Sequence, residues 1–223
     1  MTTSETTTVN TATPSGMSAD AQAEATANAA QLPDARPQLR AALALAVSTV
    51  RNVRTDQLGN PTPCTEYDVD GLIRHLAGAA DRAVAAAAGG TMADLDEYAG
   101  VPAAGVAEEL AHTAAAFTDA WSDDATLDQV IELPWATLPA RVLLAIYLAE
   151  VSTHTWDVAA ATGQQPAFDQ AALEIALATM QIGLPAEGRE QTPFAAVRPV
   201  ADDAPAIDRL VAWTGRNPAW PAA

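Results

Sequence analysis

In the stretch LAEVSTHTWDVAAATG, residues 148–163, Glu150 and His154 stand four residues apart. On a helix this spacing stacks two side chains on one side. At about 100° per residue, Leu143, Ile146, Tyr147, Val158 and Ala161 fall on the same side. A carboxylate and an imidazole in an apolar stripe must be compensated, because burying either alone is costly. Two arrangements do so: a buried pair that satisfies itself, or a cation held between the two. The i, i+4 spacing is also how one helix offers two ligands to a metal ion. A third ligand from another helix would complete a two-histidine, one-glutamate set with an open position, the form of a catalytic rather than a structural site. Since E-x-x-x-H is common in helices, the spacing alone leaves both arrangements open.

The chain has three histidines, so each can be weighed. His112, in EELAHTAAAF, lies about 200° around its helix from Leu110, which places it on a polar face. His75, in LIRHLAGAADR, sits about 120° from the centre of its apolar stripe, on a flank shared with Ala79 and Arg82. It is either a boundary histidine bonded to a backbone carbonyl or a ligand leaning towards the helix that carries Glu150. Asp157, three residues after His154, could orient a ligand histidine or bond across helices. Arg82 could hold a substrate carboxylate or form a surface ion pair. Cys64 is placed to be a nucleophile or ligand, but its proline-bounded loop favours a buried structural thiol. Trp156 points elsewhere and reads as packing.

The elements that must position these groups are helical. Much of the apolar content is alanine, which favours helix, and no alternating runs of Val, Ile, Thr and Tyr suggest sheet. The expected fold is all-α, an up-down four-helix bundle with an additional C-terminal helix. The first helix is expected from Asp34 to about Leu58, with Leu39, Leu43, Val47 and Val50 inward. The second follows an N-cap at Asp68 or Asp70 and ends at the glycines of 89–90, with Val69, Leu72, Ile73, Leu76, Ala80 and Val84 inward. The third runs from about Ala103 to Trp121, burying Val106, Leu110, Phe117 and Trp121. The fourth runs from Pro139 to Thr162 and stops at Gly163. A fifth spans about Asp169 to Gly183, and a short last one Ala204 to Trp213. A short extended piece is expected at QVIEL. Residues 1–32, rich in Thr, Ala and Ser, read as a disordered tail, and residues 33–223 as one domain.

Charge narrows the function. The net charge is −17 and the chain contains no lysine, which excludes lysine Schiff-base chemistry and argues against nucleic acid or an anionic membrane as partner. No apolar run reaches the roughly 18–20 residues of a membrane span. Cys64 is the sole cysteine, so no intrachain disulfide can form, in keeping with a reducing, cytoplasmic location. The first 35 residues contain no basic side chain, unlike a secretory signal or a mitochondrial transit peptide.

Three stretches together resemble a known family. PTPCTEYDVDGLIRHLAG resembles the opening PTPC-x-x-W-D-V-x-x-L-x-x-H-L of an actinobacterial family in the DinB-like superfamily, and AEVSTHTWDVAAATGQ resembles its E-x-x-x-H-x-W-D-L-A-x-A-T-G helix. The ending FAAVRPVADDAPAIDRLVAWTGRNPAW is similar to the family's C-terminal signature. That superfamily includes mycothiol-dependent maleylpyruvate isomerase and the bacillithiol and mycothiol S-transferases. The resemblance implies a divalent metal ion, usually zinc and sometimes nickel, held by His75, Glu150 and His154. It further implies mycothiol or another low-molecular-weight thiol as co-substrate and a small-molecule electrophile. Tyr67 stands where the family has tryptophan. The isomerase carries a second, C-terminal domain for which this chain has no room, so thiol S-transfer or another metal-dependent reaction is expected rather than that isomerisation. A non-catalytic metal-binding module is the alternative. Bundles of this kind often dimerise, so a homodimer is compatible with the sequence.

Overall fold

Most helices begin where the sequence gives their first turn a partner or a proline. The computed structural model describes residues 32–89, 98–133, 137–190 and 192–220. In α2 (Val69–Ala86) the Asp68 carboxylate accepts from the Gly71 amide at 2.9 Å. In α5 (Gln170–Gly183) Asp169 accepts from the amides of Ala171 and Ala172. Prolines open the rest: Pro37 lies in the first turn of α1 (Arg36–Arg51), while Pro102, Pro139 and Pro205 directly precede α3 (Ala103–Ala120), α4 (Ala140–Thr162) and α6 (Ala206–Trp213). Gly163, at φ 72°, ends α4 in the left-handed conformation that a glycine adopts without penalty.

The first helix is shorter than its expected end at Leu58. It stops at Arg51, where the Asn52 amide turns back to the carbonyls of Thr49 and Val50, and beyond it Arg54 pairs with Asp56 at 3.0 Å. A single 3-10 turn, Thr55–Gln57, follows. There the Gln57 side chain accepts from the Arg54 amide and donates to the Thr162 carbonyl, both at 3.0 Å, tying the loop to the end of α4. The extended piece at QVIEL is β1 (Val130–Glu132), and it has a partner that the sequence did not announce. It pairs antiparallel with β2 (Thr137–Pro139), Ile131 facing Leu138. The expected tail falls almost wholly at residues 1–31, outside the described residues.

Helices α1 to α4 form the bundle, and α5 and α6 pack on the outside of α4. One core, including Leu39, Leu43, Leu72, Leu110, Phe117 and Leu144, fills the bundle. A second, including Leu148, Leu173, Leu177 and Leu210, lies between α4, α5 and α6. Alanines at positions 46, 77, 80, 83 and 145 are nearly or fully buried and let the helix backbones approach closely. The inward residues expected for α3 are all buried, whereas Val47 and Val84 are only half-buried. Because α4 is covered by α1, α2, α5 and α6, it is buried on nearly every side rather than along one stripe. Among the described residues no helix is long and apolar enough to cross a membrane.

Candidate metal centre

Helix α2 carries His75 and helix α4 carries Glu150 and His154 to one point. His75 Nε2 lies 2.8 Å from Glu150 Oε1, and His154 Nε2 lies 3.5 Å from the same oxygen. The two imidazoles meet edge to face, centroids 4.6 Å apart and planes at 82°. A ligand atom from each of the three residues lies within 4.8 Å of the other two. The Tyr67 ring, from the loop before α2, stacks on His75 at 5.1 Å and 25°, which fixes the imidazole plane.

The far side of His154 is equally organised. Its Nδ1 lies 3.0 Å from Asp157 Oδ2, and Asp157 is fully buried. From beyond α6, Arg216 donates to the same carboxylate, Nη2 at 3.1 Å and Nε at 3.4 Å. Arg216 reaches this position through Gly215, at φ 90°, where an added Cβ would come 2.7 Å from the Ala195 Cβ.

These contacts dictate the protonation of His154. A carboxylate only accepts, so Nδ1 carries its hydrogen and points it at Asp157. In the neutral ring, the Nε2 lone pair would then face the Glu150 carboxylate: two acceptors 3.5 Å apart, with nothing to hold them together. A proton or a cation must lie between them. In the metal-free protein it is a proton. Burial works against the charged ring, but the Glu150 and Asp157 carboxylates outweigh it and raise the His154 pKa to about 9. Burial likewise pushes Glu150 up, yet the His154 charge and the hydrogen bonds from both histidines hold it well below the usual carboxylate range. Two imidazoles and one carboxylate, one of them poised to exchange its proton, fit a divalent cation.

Around the cluster, some expectations hold and others change. Asp157 does both things considered for it, orienting His154 and bonding across to the C-terminal segment. Arg82 is not a surface ion pair. It is 8% exposed and hydrogen-bonds the Tyr147 hydroxyl, because α3 and α4 cover the flank of α2 on which it lies. Cys64 is half-buried rather than buried, and it groups with His154 and Asp157, a donor atom from each lying within 4.8 Å of the others. Burial pushes its thiol pKa up, against the pull of the Arg216 charge. His112 is exposed and remote in role, as its polar face implied, and Trp156 is partly buried in α4. Arg216 was missed, although it stands in the C-terminal stretch TGRNPAW that helps carry the family resemblance. A small cavity of about 20 Å³ adjoins Glu150 and His154, lined further by Thr153, Phe194, Thr214 and Arg216. It has room for one water-sized group.

Residues 39–159 match the model of the mycothiol maleylpyruvate isomerase N-terminal domain, a span that contains His75, Glu150, His154 and Asp157. Two uncharacterised proteins from strains of Mycobacterium tuberculosis are each 34% identical to it over 168 residues, covering 74% of this chain and 88% of theirs. No solved structure matches the chain significantly. With more than half of its length under the family model, the chain belongs to the mycothiol maleylpyruvate isomerase N-terminal domain family.

Proposed function

We propose that the protein is a metal-dependent enzyme that employs a low-molecular-weight thiol of the mycothiol type in S-transferase-like chemistry, with His75, Glu150 and His154 holding a divalent ion. The observation that carries this is the convergence of His75 Nε2, His154 Nε2 and a Glu150 carboxylate oxygen, from two helices, at one point within 4.8 Å of one another. Zinc is the first candidate for such a nitrogen and oxygen set, and nickel the second. When bound, the ion supplies a positive charge that lowers the pKa of a thiol, so that a thiolate is available at neutral pH.

The chain's own residues then do the positioning. Asp157 keeps the His154 hydrogen on Nδ1 and Nε2 free to ligate, and Arg216 holds Asp157 in place. Tyr67 holds the plane of His75. The adjoining cavity takes a sulfur or a water but not a whole thiol, so the body of the thiol and the electrophile lie on the open side of Glu150, whose side chain is 29% exposed. The thiolate is the nucleophile towards a small electrophile bound there. Arg82, expected to hold a ligand carboxylate, is buried against the Tyr147 hydroxyl and is given no part in binding here.

The small volume of that cavity favours one second reading, a non-catalytic metal-binding module whose site is structural. Elemental analysis of untagged protein by inductively coupled plasma mass spectrometry, beside a His75→Ala/His154→Ala double variant, tests the metal. About one divalent ion per chain in the wild type and none in a still helical variant is the expected result. No bound ion, and none taken up on adding zinc or nickel, would refute the enzyme. Loss of turnover in His75→Ala with the fold retained supports catalysis. A sharp fall in melting temperature on chelation supports the structural module.

A further inference from the structure

The donor atoms around His154 form two sets. Glu150 and His75 gather at its Nε2 edge, in the metal centre described above. Asp157 faces its Nδ1 at 3.0 Å, and a donor atom from each of Cys64, His154 and Asp157 lies within 4.8 Å of the others. A thiolate, an imidazole and a carboxylate are all ligands of zinc, and the thiolate is the softest donor in either set. Donor chemistry by itself therefore does not direct an ion to the Nε2 edge. An ion held at the other edge would take the Cys64 sulfur as a ligand and leave Glu150 and His75 aside.

What distinguishes the second set is a cation already in it. The Arg216 guanidinium donates to Asp157 through Nη2 at 3.1 Å and Nε at 3.4 Å, and through Nη1 to the Thr214 carbonyl at 3.1 Å. Its backbone amide donates to the Val211 carbonyl at 2.8 Å, and its side chain is 10% exposed. The head group is thus fixed and largely shielded from solvent, and its charge reaches the Cys64 thiol. A divalent ion entering between Cys64 and Asp157 would meet that fixed positive charge at close range, where water and salt screen little. At the Nε2 edge the entry is the Glu150 carboxylate, 29% exposed.

We propose that Arg216 selects the metal site: its guanidinium fills the cation position of the Cys64, His154 and Asp157 set, so that a divalent ion loads against His154 Nε2, beside Glu150 and His75, and the Cys64 thiol stays unligated. The proposal deepens the metal reading given above and rests on it for the ion; the exclusion rests on Arg216.

The test loads the full chain with cobalt(II) and reads two signals, the near-ultraviolet sulfur-to-cobalt charge-transfer band and the rate at which iodoacetamide alkylates Cys64. Wild type should bind cobalt without that band and with alkylation unchanged. Arg216→Gln removes the charge and keeps an amide to donate to Asp157; it should gain the band and lose alkylation, Cys64 giving its proton to the buffer. Adding Cys64→Ser to Arg216→Gln should remove the band, and Arg216→Lys, which keeps the cation, should behave as wild type. A charge-transfer band or protection of Cys64 in the wild type would overturn the proposal. So would a folded Arg216→Gln chain without the band, or an equal band in Arg216→Lys. Should Arg216→Gln fail to fold, the two wild-type signals decide. No cobalt on the wild type, with the band present in Arg216→Gln, would refute the metal reading above and still support the exclusion by Arg216.

Discussion

Replacing Asp157 by asparagine separates the electrostatic part of the site from its shape. The wild-type carboxylate is fully buried and receives three N–H groups: His154 Nδ1 at 3.0 Å, Arg216 Nη2 at 3.1 Å and Arg216 Nε at 3.4 Å. Asparagine keeps the volume but offers one carbonyl oxygen, so its amide must face at least one of those donors. Breaking a buried ion pair costs about 3–5 kcal/mol. The retained carbonyl puts D157N near the lower end, about 3 kcal/mol. With a urea dependence of roughly 1–3 kcal/mol per molar, the unfolding midpoint of the metal-free protein should fall by about 1–3 M. The same change frees the His154 tautomer, and loss of such an orienting partner lowers metal affinity about 10–100-fold, measurable by competition with a zinc-binding dye. A midpoint and a zinc affinity both equal to the wild type would refute the reasoning. A lower midpoint with unchanged zinc affinity would refute the orienting role while leaving the buried ion pair intact.

Three further outcomes follow from the same geometry. His154 titrates near 9 in the folded metal-free protein against 6.5 unperturbed, so its stabilisation is complete below pH 6.5 and lost as pH rises through 9. That difference is worth roughly 3 kcal/mol; urea unfolding of metal-free protein at pH 6 and pH 10 should show it, and His154→Gln should not. The Glu150 end of the same interaction is lost as pH falls through its depressed pKa, below the usual 4.5. Zinc binding at pH 7 should release about one proton from His154, read by calorimetry in two buffers of different ionisation enthalpy; no release would mean that His154 is already neutral. Gly215→Ala meets both a φ of 90° and the Ala195 Cβ at 2.7 Å. It should destabilise by about 1–2 kcal/mol or more and, by displacing Arg216, weaken zinc binding as D157N does; a neutral result would show that the segment holding Ala195 yields freely.

What the sequence disclosed was local, and what it withheld was contact between distant segments. The start of α2 was legible because Asp68 caps it, and the stop of α4 because Gly163 takes a positive φ. The one-turn spacing of Glu150 and His154 was legible for the same reason. That His75 would meet Glu150, 75 positions away, depended on how α2 lies against α4, which periodicity places only to a flank; the family resemblance supplied the pairing. Arg216 and Asp157 are 59 positions apart, and nothing near either marks the partner. The burial of Arg82 was equally hidden, since it takes a hydroxyl from α4 rather than a carboxylate on its own helix. The end of α1 was misjudged for a different reason. Val53 and Leu58 carry the apolar pattern onward and do pack on the core, but from the non-helical loop that begins at Asn52, so the pattern outruns the helix.

The chain of charges from Arg216 to Glu150 bears on why the site would prefer an anionic ligand. In the metal-free protein Arg216 and protonated His154 carry two positive charges, and Asp157 and Glu150 two negative ones. The cluster is therefore balanced, as buried charges must be. A divalent ion that displaces the His154 proton changes this sum by one positive charge. In a pocket with Arg216 already committed to Asp157, the Glu150 carboxylate alone does not restore neutrality. An incoming ligand that gives up its own proton does. A thiolate fits that requirement, whereas a neutral alcohol or ether leaves the excess charge under the apolar cover of Phe194. Arg216→Met would remove one positive charge from the sum, and with it the demand for an anion. Zinc-loaded Arg216→Met should therefore bind a small thiolate more weakly relative to a neutral sulfur ligand such as dimethyl sulfide, whereas unchanged selectivity would show that Arg216 acts on Asp157 through position alone.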